Sequence, residues 1–206
     1  FAYYATSRDR YNNVADLGAN IGLHSILMAK CGWQVTAYEP DPVHLKILHR
    51  NLNINGCKNV EVKEKAVSDR NGVAEFVRVI GNTTSSHLTG AKNSAYGPLE
   101  RFPVETENIK GIMQKHDLIK ADVEGQEKVI ILATSTDDWQ NTDMMIEVGS
   151  EDSALAIFEH LQKIGVNAYS QKRGWNAVNS FKDMPIHYKQ GSVLITQNTS
   201  SPWEKS

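Results

Sequence analysis

The stretch NVADLGANIGLHS, residues 13–25, joins a short apolar β-type run to a helix-forming one through two glycines. No other segment restricts the chain as tightly. A strand that ends in such a turn feeds directly into a helix, and glycine lets the backbone take a positive φ or pass close to a ligand. The alternation then continues. Gln34–Tyr38 (QVTAY) reads as a second strand, and residues 42–53 as a helix with Asp41 as N-cap, Pro42 in the first turn and Gly56 as its stop. Residues 60–67 read as a third strand, 69–72 as a turn, and 73–80 as a strand expected to pair as a hairpin. Further on come a strand at 118–123, a helix at 126–133, a strand at 143–148 and an amphipathic helix at 154–164 closed by Gly165. The last two β runs, 167–171 and Ser192–Thr196, have no helix-length apolar segment between them and are expected to pair antiparallel at one edge.

Continuous apolar strands alternating with helices predict an α/β chain with a mostly parallel sheet covered on both faces. At 206 residues the chain is expected to form a single domain over residues 1–206. Ligands of such sheets bind outside the carboxyl ends of the strands, where strand order reverses. Residues 81–103, rich in Gly, Ser, Thr and Asn, form the long irregular stretch and are expected to lie over that site. The net charge of −2 supplies no basic field for nucleic acid or anionic lipid. No apolar run is long enough to span a bilayer, and no signal-peptide pattern opens the chain, so neither membrane nor nucleic-acid partners are expected. Cys31 and Cys57 have no CxxC partner and no His at metal spacing, which argues against zinc and for free thiols in a reducing compartment, by default the cytoplasm. Oligomeric state is left open.

The turn DLGANIG does not have the GxGxxG spacing of a dinucleotide site, and Asp16 just before Gly18 would repel a pyrophosphate. An acid there suits a ligand that carries a cation. The second strand ends in Tyr38, Glu39, Pro40 and Asp41, and an acid at that tip can accept both hydroxyls of a ribose. A ligand with a ribose, a positive charge and no phosphate is S-adenosylmethionine.

Six stretches carry a family resemblance: VADLGANIGLHS (14–25), AYEPDP (37–42), NLNING (51–56), EKAVSDRNG (64–72), LIKADVEGQE (118–127) and MMIEV (144–148). In this order they resemble the FkbM-type branch of class I S-adenosylmethionine-dependent methyltransferases. The resemblance implies a Rossmann-like, doubly wound seven-stranded sheet in the order 3-2-1-4-5-7-6 with strand seven antiparallel. It implies methyl transfer to an oxygen, on a small-molecule or sugar hydroxyl. It also implies that Asp16, Gly18, Ala19, Asn20 and Gly22 line the methionine part, that Glu39 and Pro40 hold the ribose, and that Lys65, Ala66 and Val67 lie against adenine. Gln126 stands where a small residue is usual.

In an extended strand Lys120, Asp122 and Glu124 share one side, aiming a cation and two carboxylates at the cleft. Paired carboxylates in a partly dry site raise one pKa and make a better base. Asp122 is assigned to the donor and Glu124 to the acceptor, one of the pair taking the acceptor's proton. The competing structural account pairs Lys120 with Glu124 and has Asp122 cap the next helix. A metal held by the two acids lacks a third ligand at suitable spacing. Ser85, Ser86 and His87 in the long loop, Glu147 at the next strand tip and Trp175 in the KRGW turn are the candidate acceptor contacts, and His24 is expected to pack in its helix. Two other functions stay open: a nicotinamide-dependent oxidoreductase on a related sheet, and a donor-binding domain without catalysis.

Overall fold

Four of the five residues of strand β1 (Asn13–Leu17) are buried, as a central strand covered on both faces requires. In the computed structural model, which describes residues 2–81, 86–90, 98–200 and 203, helix α1 (Ala2–Thr6) precedes it. Helix α2 (Leu23–Lys30), β2 (Gln34–Tyr38), α3 (Pro42–Ile54) and β3 (Val60–Lys63) follow. Next come β4 (Ala66–Ser68), β5 (Gly72–Val79), β6 (His87–Leu88) and β7 (Leu99–Asn108), a group with its own sheet. Helix α4 (Ile109–Met113), β8 (Leu118–Ala121), α5 (Glu127–Leu132), β9 (Asp143–Glu147), α6 (Glu151–Ile164), β10 (Asn167–Ser170), β11 (Asn176–Ala177) and β12 (Ser192–Thr196) complete the order.

The larger sheet runs β11-β10-β12-β9-β8-β1-β2-β3. Strands β3, β2, β1, β8 and β9 are parallel, and β12 lies antiparallel between β9 and β10. It has eight strands rather than seven, because the tight turn at Gly174 and Trp175 returns two residues to the edge as β11. The chain winds outward from β1 to β3, then comes back to lay β8 on the other side of β1. Strand order therefore reverses between β1 and β8, which opens a crevice beyond their carboxyl ends.

Side-chain alternation divides the core. Ala15, Leu17, Ile119 and Ala121 pack toward Ile112 of α4, Ile130 of α5 and Ile157 of α6. Val14 and Leu118 pack on the other face with Tyr4 of α1 and Met28 of α2. By the same period of two, Asp16 and Lys120, partners in register, point toward α2. Helix α3 begins as its sequence predicts, with the Asp41 carboxylate accepting the Val43 N–H at 2.8 Å and Pro42 behind it. Helix α6 ends at Gly165 in the left-handed conformation.

The smaller sheet, β4-β7-β5-β6, departs from the sequence expectations. Residues 60–67 split into β3 and β4, one in each sheet, and β5 pairs antiparallel with β7 rather than with the third strand. Strand β7 also claims residues 99–103 of the expected loop. Only Val104 and Thr106 of its ten residues are buried, and Pro103 sits in its middle, so the apolar alternation that marks a strand is nearly absent. Among the described residues no helix is long and apolar enough to cross a membrane. Cys31 and Cys57 are both free thiols.

Candidate active site

Strand β1 leaves the sheet at Leu17 and turns at once. The N–H groups of Gly18 and Ala19 both donate to the Tyr38 carbonyl, at 3.0 and 2.9 Å, lacing the turn to the end of β2. Gly18, Asn20 and Gly22 all have positive φ, at 76°, 52° and 93°. The turn lies hard against the tip of β8: a Cβ on Gly18 would sit 1.9 Å from the Asp122 carbonyl oxygen. Beneath it Asp16 is fully buried. Its Oδ2 accepts from Ser25 Oγ at 2.6 Å, while Oδ1 has no hydrogen bond and lies 3.5 Å from Lys120 Nζ.

At the β2 tip Glu39 is buried, with Oε2 accepting the Asn20 N–H and Oε1 the Asp41 N–H, both at 2.8 Å. His44 Nδ1 lies 3.4 Å from Oε1. Burial opposes a charge on His44, but the bond and the negative charge of Glu39 outweigh it and raise its pKa. Oε2, which accepts the Asn20 N–H, keeps acceptor capacity for a further hydroxyl. Asp41, beside it, is gripped by Arg78 of β5 through two bonds, Nε to Oδ2 at 2.8 Å and Nη2 to Oδ1 at 2.6 Å. Burial would raise the Asp41 pKa, yet Arg78 and the Val43 N–H hold it below the ordinary value. The grip pins the small sheet to the start of α3.

Strand β8 ends at Ala121, and the strand alternation ends with it. Lys120 is nearly buried between two acids, 3.5 Å from Asp16 and 3.6 Å from Asp122. Burial disfavours its charge, but the two carboxylates outweigh that and raise its pKa. Asp122 stays on the line of the strand, its N–H donating to the Leu17 carbonyl at 3.0 Å. Glu124 does not: its φ of 53° places it in a turn, so its position owes nothing to the period of two. The N-cap of α5 is Gln126, not Asp122, and it makes no side-chain cap hydrogen bond. Glu127, the first residue of the helix, instead holds the turn before it, its Oε1 accepting the Val123 N–H at 2.8 Å and its Oε2 the Gly125 N–H at 2.9 Å. Burial, against the lowering effect of those N–H groups and with help from the Asp122 charge, pushes the Glu127 pKa up to about 7.

A carboxyl group whose folded pKa lies above its unfolded value of 4.5 stabilises the fold in its protonated form. That contribution is complete below about pH 4.5 and is lost as pH rises to about 7, roughly 3 kcal/mol in all at ~1.4 kcal/mol per pKa unit. Urea unfolding at pH 5 and pH 8 is therefore expected to show a loss in the parent protein that is about 2–3 kcal/mol larger than in Glu127→Gln. Equal losses in the two proteins would contradict the shift.

These tips and the small sheet enclose a cavity of about 380 Å³, the size of a small-molecule site. Of the residues singled out from sequence, Gly18, Ala19, Asn20, Glu39, Pro40, Lys65, Ala66, Val67, Ser86, His87, Asp122 and Glu124 line it. Asp16 is buried under the glycine turn rather than lining the cavity, and Gly22 abuts Leu48 of α3. Glu147 stands just outside the lining at the β9 tip; burial and then the Asp122 charge raise its pKa. Trp175 does not line the cavity; it packs against the cluster of Tyr3, Tyr11, Trp33 and Tyr169, its ring 5.8 Å from that of Trp203 and tilted by 60°. Ser85 lies outside the described residues. Sequence reasoning missed Phe76 and Leu88, which the small sheet contributes as an apolar wall, and His44. His24 lines the cavity from α2 and shares a hydrogen bond of 2.7 Å with the Tyr4 hydroxyl. Among the described residues no cluster of three or more His, Cys, Asp or Glu could hold a metal ion.

The chain matches the methyltransferase FkbM domain over residues 16–175, well over half its length. It belongs to the FkbM methyltransferase family. The match contains every tip that builds the cavity. A similar protein, the methyltransferase sdnD of Sordaria araneosa, is 26% identical over 162 residues, which cover 62% of this chain and 62% of that one. A solved FkbM methyltransferase from Methylobacillus flagellatus KT shares the fold at a TM-score of 0.55 and 14% identity, covering 89% of this chain and 43% of that one. The chain thus spans less than two thirds of each of these two proteins.

Proposed function

We propose that the chain is a methyltransferase using S-adenosylmethionine to methylate a hydroxyl of a small molecule or sugar. The observation that carries this reading is the lining of the cavity: Glu39 at the β2 tip and Asp122 and Glu124 at the β8 tip bound it, and both lining lysines are already ion-paired, Lys120 with Asp16 and Asp122 and Lys65 with Glu105. With no unpaired lysine or arginine among the described lining residues, these acids would repel a pyrophosphate and suit a cationic ribose-bearing ligand. S-adenosylmethionine, when bound, supplies a methyl group already activated for in-line displacement. Glu39 would accept the ribose hydroxyls, and Gly18, Ala19 and Asn20 would follow the methionine part. Ala66 and Val67 would lie against adenine, and Asp122 would hold the amino group. Glu124 would take the acceptor's hydroxyl proton, with Ser86, His87 and Glu147 toward the acceptor. Holding the acceptor in line is the largest contribution asked of the protein, of the order of 7–11 kcal/mol.

Calorimetry with S-adenosylhomocysteine and with NAD tests the donor. The expected result is binding of the first only, weakened about 10- to 100-fold by Glu39→Gln through loss of hydrogen bonds to a charged group. Binding of NAD alone would restore the oxidoreductase reading. Donor binding with no labelled methyl passed to any of a panel of hydroxylated acceptors would leave a binding domain.

A further inference from the structure

The turn that carries the two acids is fixed at two separate points. Asp122 is held from β1, by its N–H on the Leu17 carbonyl. The three residues after it are held from α5, by the buried Glu127 carboxylate that takes the Val123 N–H on one oxygen and the Gly125 N–H on the other. Between those two amides sits Glu124, a non-glycine residue at φ 53°, followed by Gly125 at φ 102°. An L-residue does not rest in the left-handed region without neighbours that over-determine it. Here the neighbours on both sides are bound by one side chain.

We propose that Glu127 is a positioning residue for methyl transfer, clamping Val123 and Gly125 so that Glu124 is held in its strained conformation at the cavity. The inference rests on the reading of Glu124 as the acid that serves the acceptor. Two N–H donors converge on this group, and a carboxyl group offers each of them an oxygen. Glutamine would turn its NH₂ toward one of the amides, and aspartate is a methylene too short to span both. Either change leaves a buried N–H without an acceptor, which biases the turn toward release. Asp122, secured by β1, would stay where it is. Loss of Glu127 should then affect turnover and leave donor binding nearly intact.

The test uses the full chain and the variants Glu127→Gln and Glu127→Asp, with S-adenosylhomocysteine as the probe of the donor site. Amide hydrogen exchange of Val123 and Gly125 is expected to accelerate about tenfold or more in both variants. The Asp122 amide should keep its protection, and the affinity for S-adenosylhomocysteine should stay within about threefold. Amides at 123 and 125 as protected as in the parent protein would overturn the proposal, and so would equal loss at Asp122, which would mark general loosening. Should the variants fail to fold, the parent protein decides: the Val123 and Gly125 amide resonances are expected to follow one common titration as the Glu127 carboxylate protonates, and independent behaviour would overturn the clamp. Glu124→Gln keeps the two readings apart. If it transfers methyl groups normally while the amides at 123 and 125 depend on Glu127, the role of Glu124 fails and the turn geometry does not.

Discussion

Gly18→Ala is expected to cost about 3 kcal/mol or more of stability and to abolish donor binding in whatever fraction still folds. An L-residue at φ +76° carries a penalty of roughly 1–2 kcal/mol. The greater problem is what the new methyl group meets. It would lie 1.9 Å from the Asp122 carbonyl oxygen and 3.0 Å from the carbonyl carbon, both backbone atoms at the end of the neighbouring parallel strand. No rotamer change relieves that contact. The tips of β1 and β8 must move apart, which strains the Asp122 to Leu17 bond and the pair donated to the Tyr38 carbonyl, each worth about 1 kcal/mol. Gly22→Ala is the control: its methyl would meet Leu48 Cδ1 at 2.5 Å, the end of a side chain able to rotate away, so the backbone penalty of roughly 1–2 kcal/mol dominates. Urea midpoints for the two variants make the comparison. An unchanged midpoint for Gly18→Ala would mean the two tips are not in contact as described.

Glu124→Gln is expected to lower turnover by about 10²- to 10⁴-fold, the range of a positioned base, while affinity for S-adenosylhomocysteine changes less than about threefold. Glutamine keeps the shape and removes the proton acceptor. Both acids line the cavity, Asp122 at the end of the strand with Lys120 at 3.6 Å and Glu124 from its own turn beyond it. Steady-state rates with labelled donor and a hydroxylated acceptor decide it. Near-parent turnover would remove Glu124 from the chemistry and leave Asp122 or Glu147 as the acid to test.

The parts of this fold that were legible in the sequence are those written in local chemistry or strong periodicity. Asp41 and Pro42 announce the start of α3, Gly165 the end of α6, and the mostly apolar runs of β1, β8 and β12 announce a sheet buried on both faces. The glycine spacing and the acids at 39 and 122 likewise point to the rim where the cavity opens. The small sheet was hidden because β5 and β7 satisfy mainly each other and leave most of their side chains exposed or only partly buried, so burial leaves little trace in their residue pattern. Glu124 was misplaced on the strand because nothing in DVEG signals that alternation stops at Ala121 and that a left-handed residue follows. Asp16 reads as a ligand contact by its place in the turn, but its burial follows from Lys120 and Ser25, which are distant in sequence or on another element. Trp175 was drawn to the site by its turn, while its packing depends on Trp203 near the far end of the chain.

The bidentate hold of Arg78 on Asp41 has a consequence for how such an enzyme diversifies. The wall bearing Phe76, His87 and Leu88 belongs to a sheet of its own, and this ionic rivet fixes it to the same helix entrance that orients Glu39. On the proposed function, replacement of the hairpin's cavity-facing side chains would redraw the space offered to an acceptor without disturbing the strands proposed to carry the adenosine end. Provided the rivet is spared, the panel and the frame are separate modules that evolution or an engineer can alter one at a time.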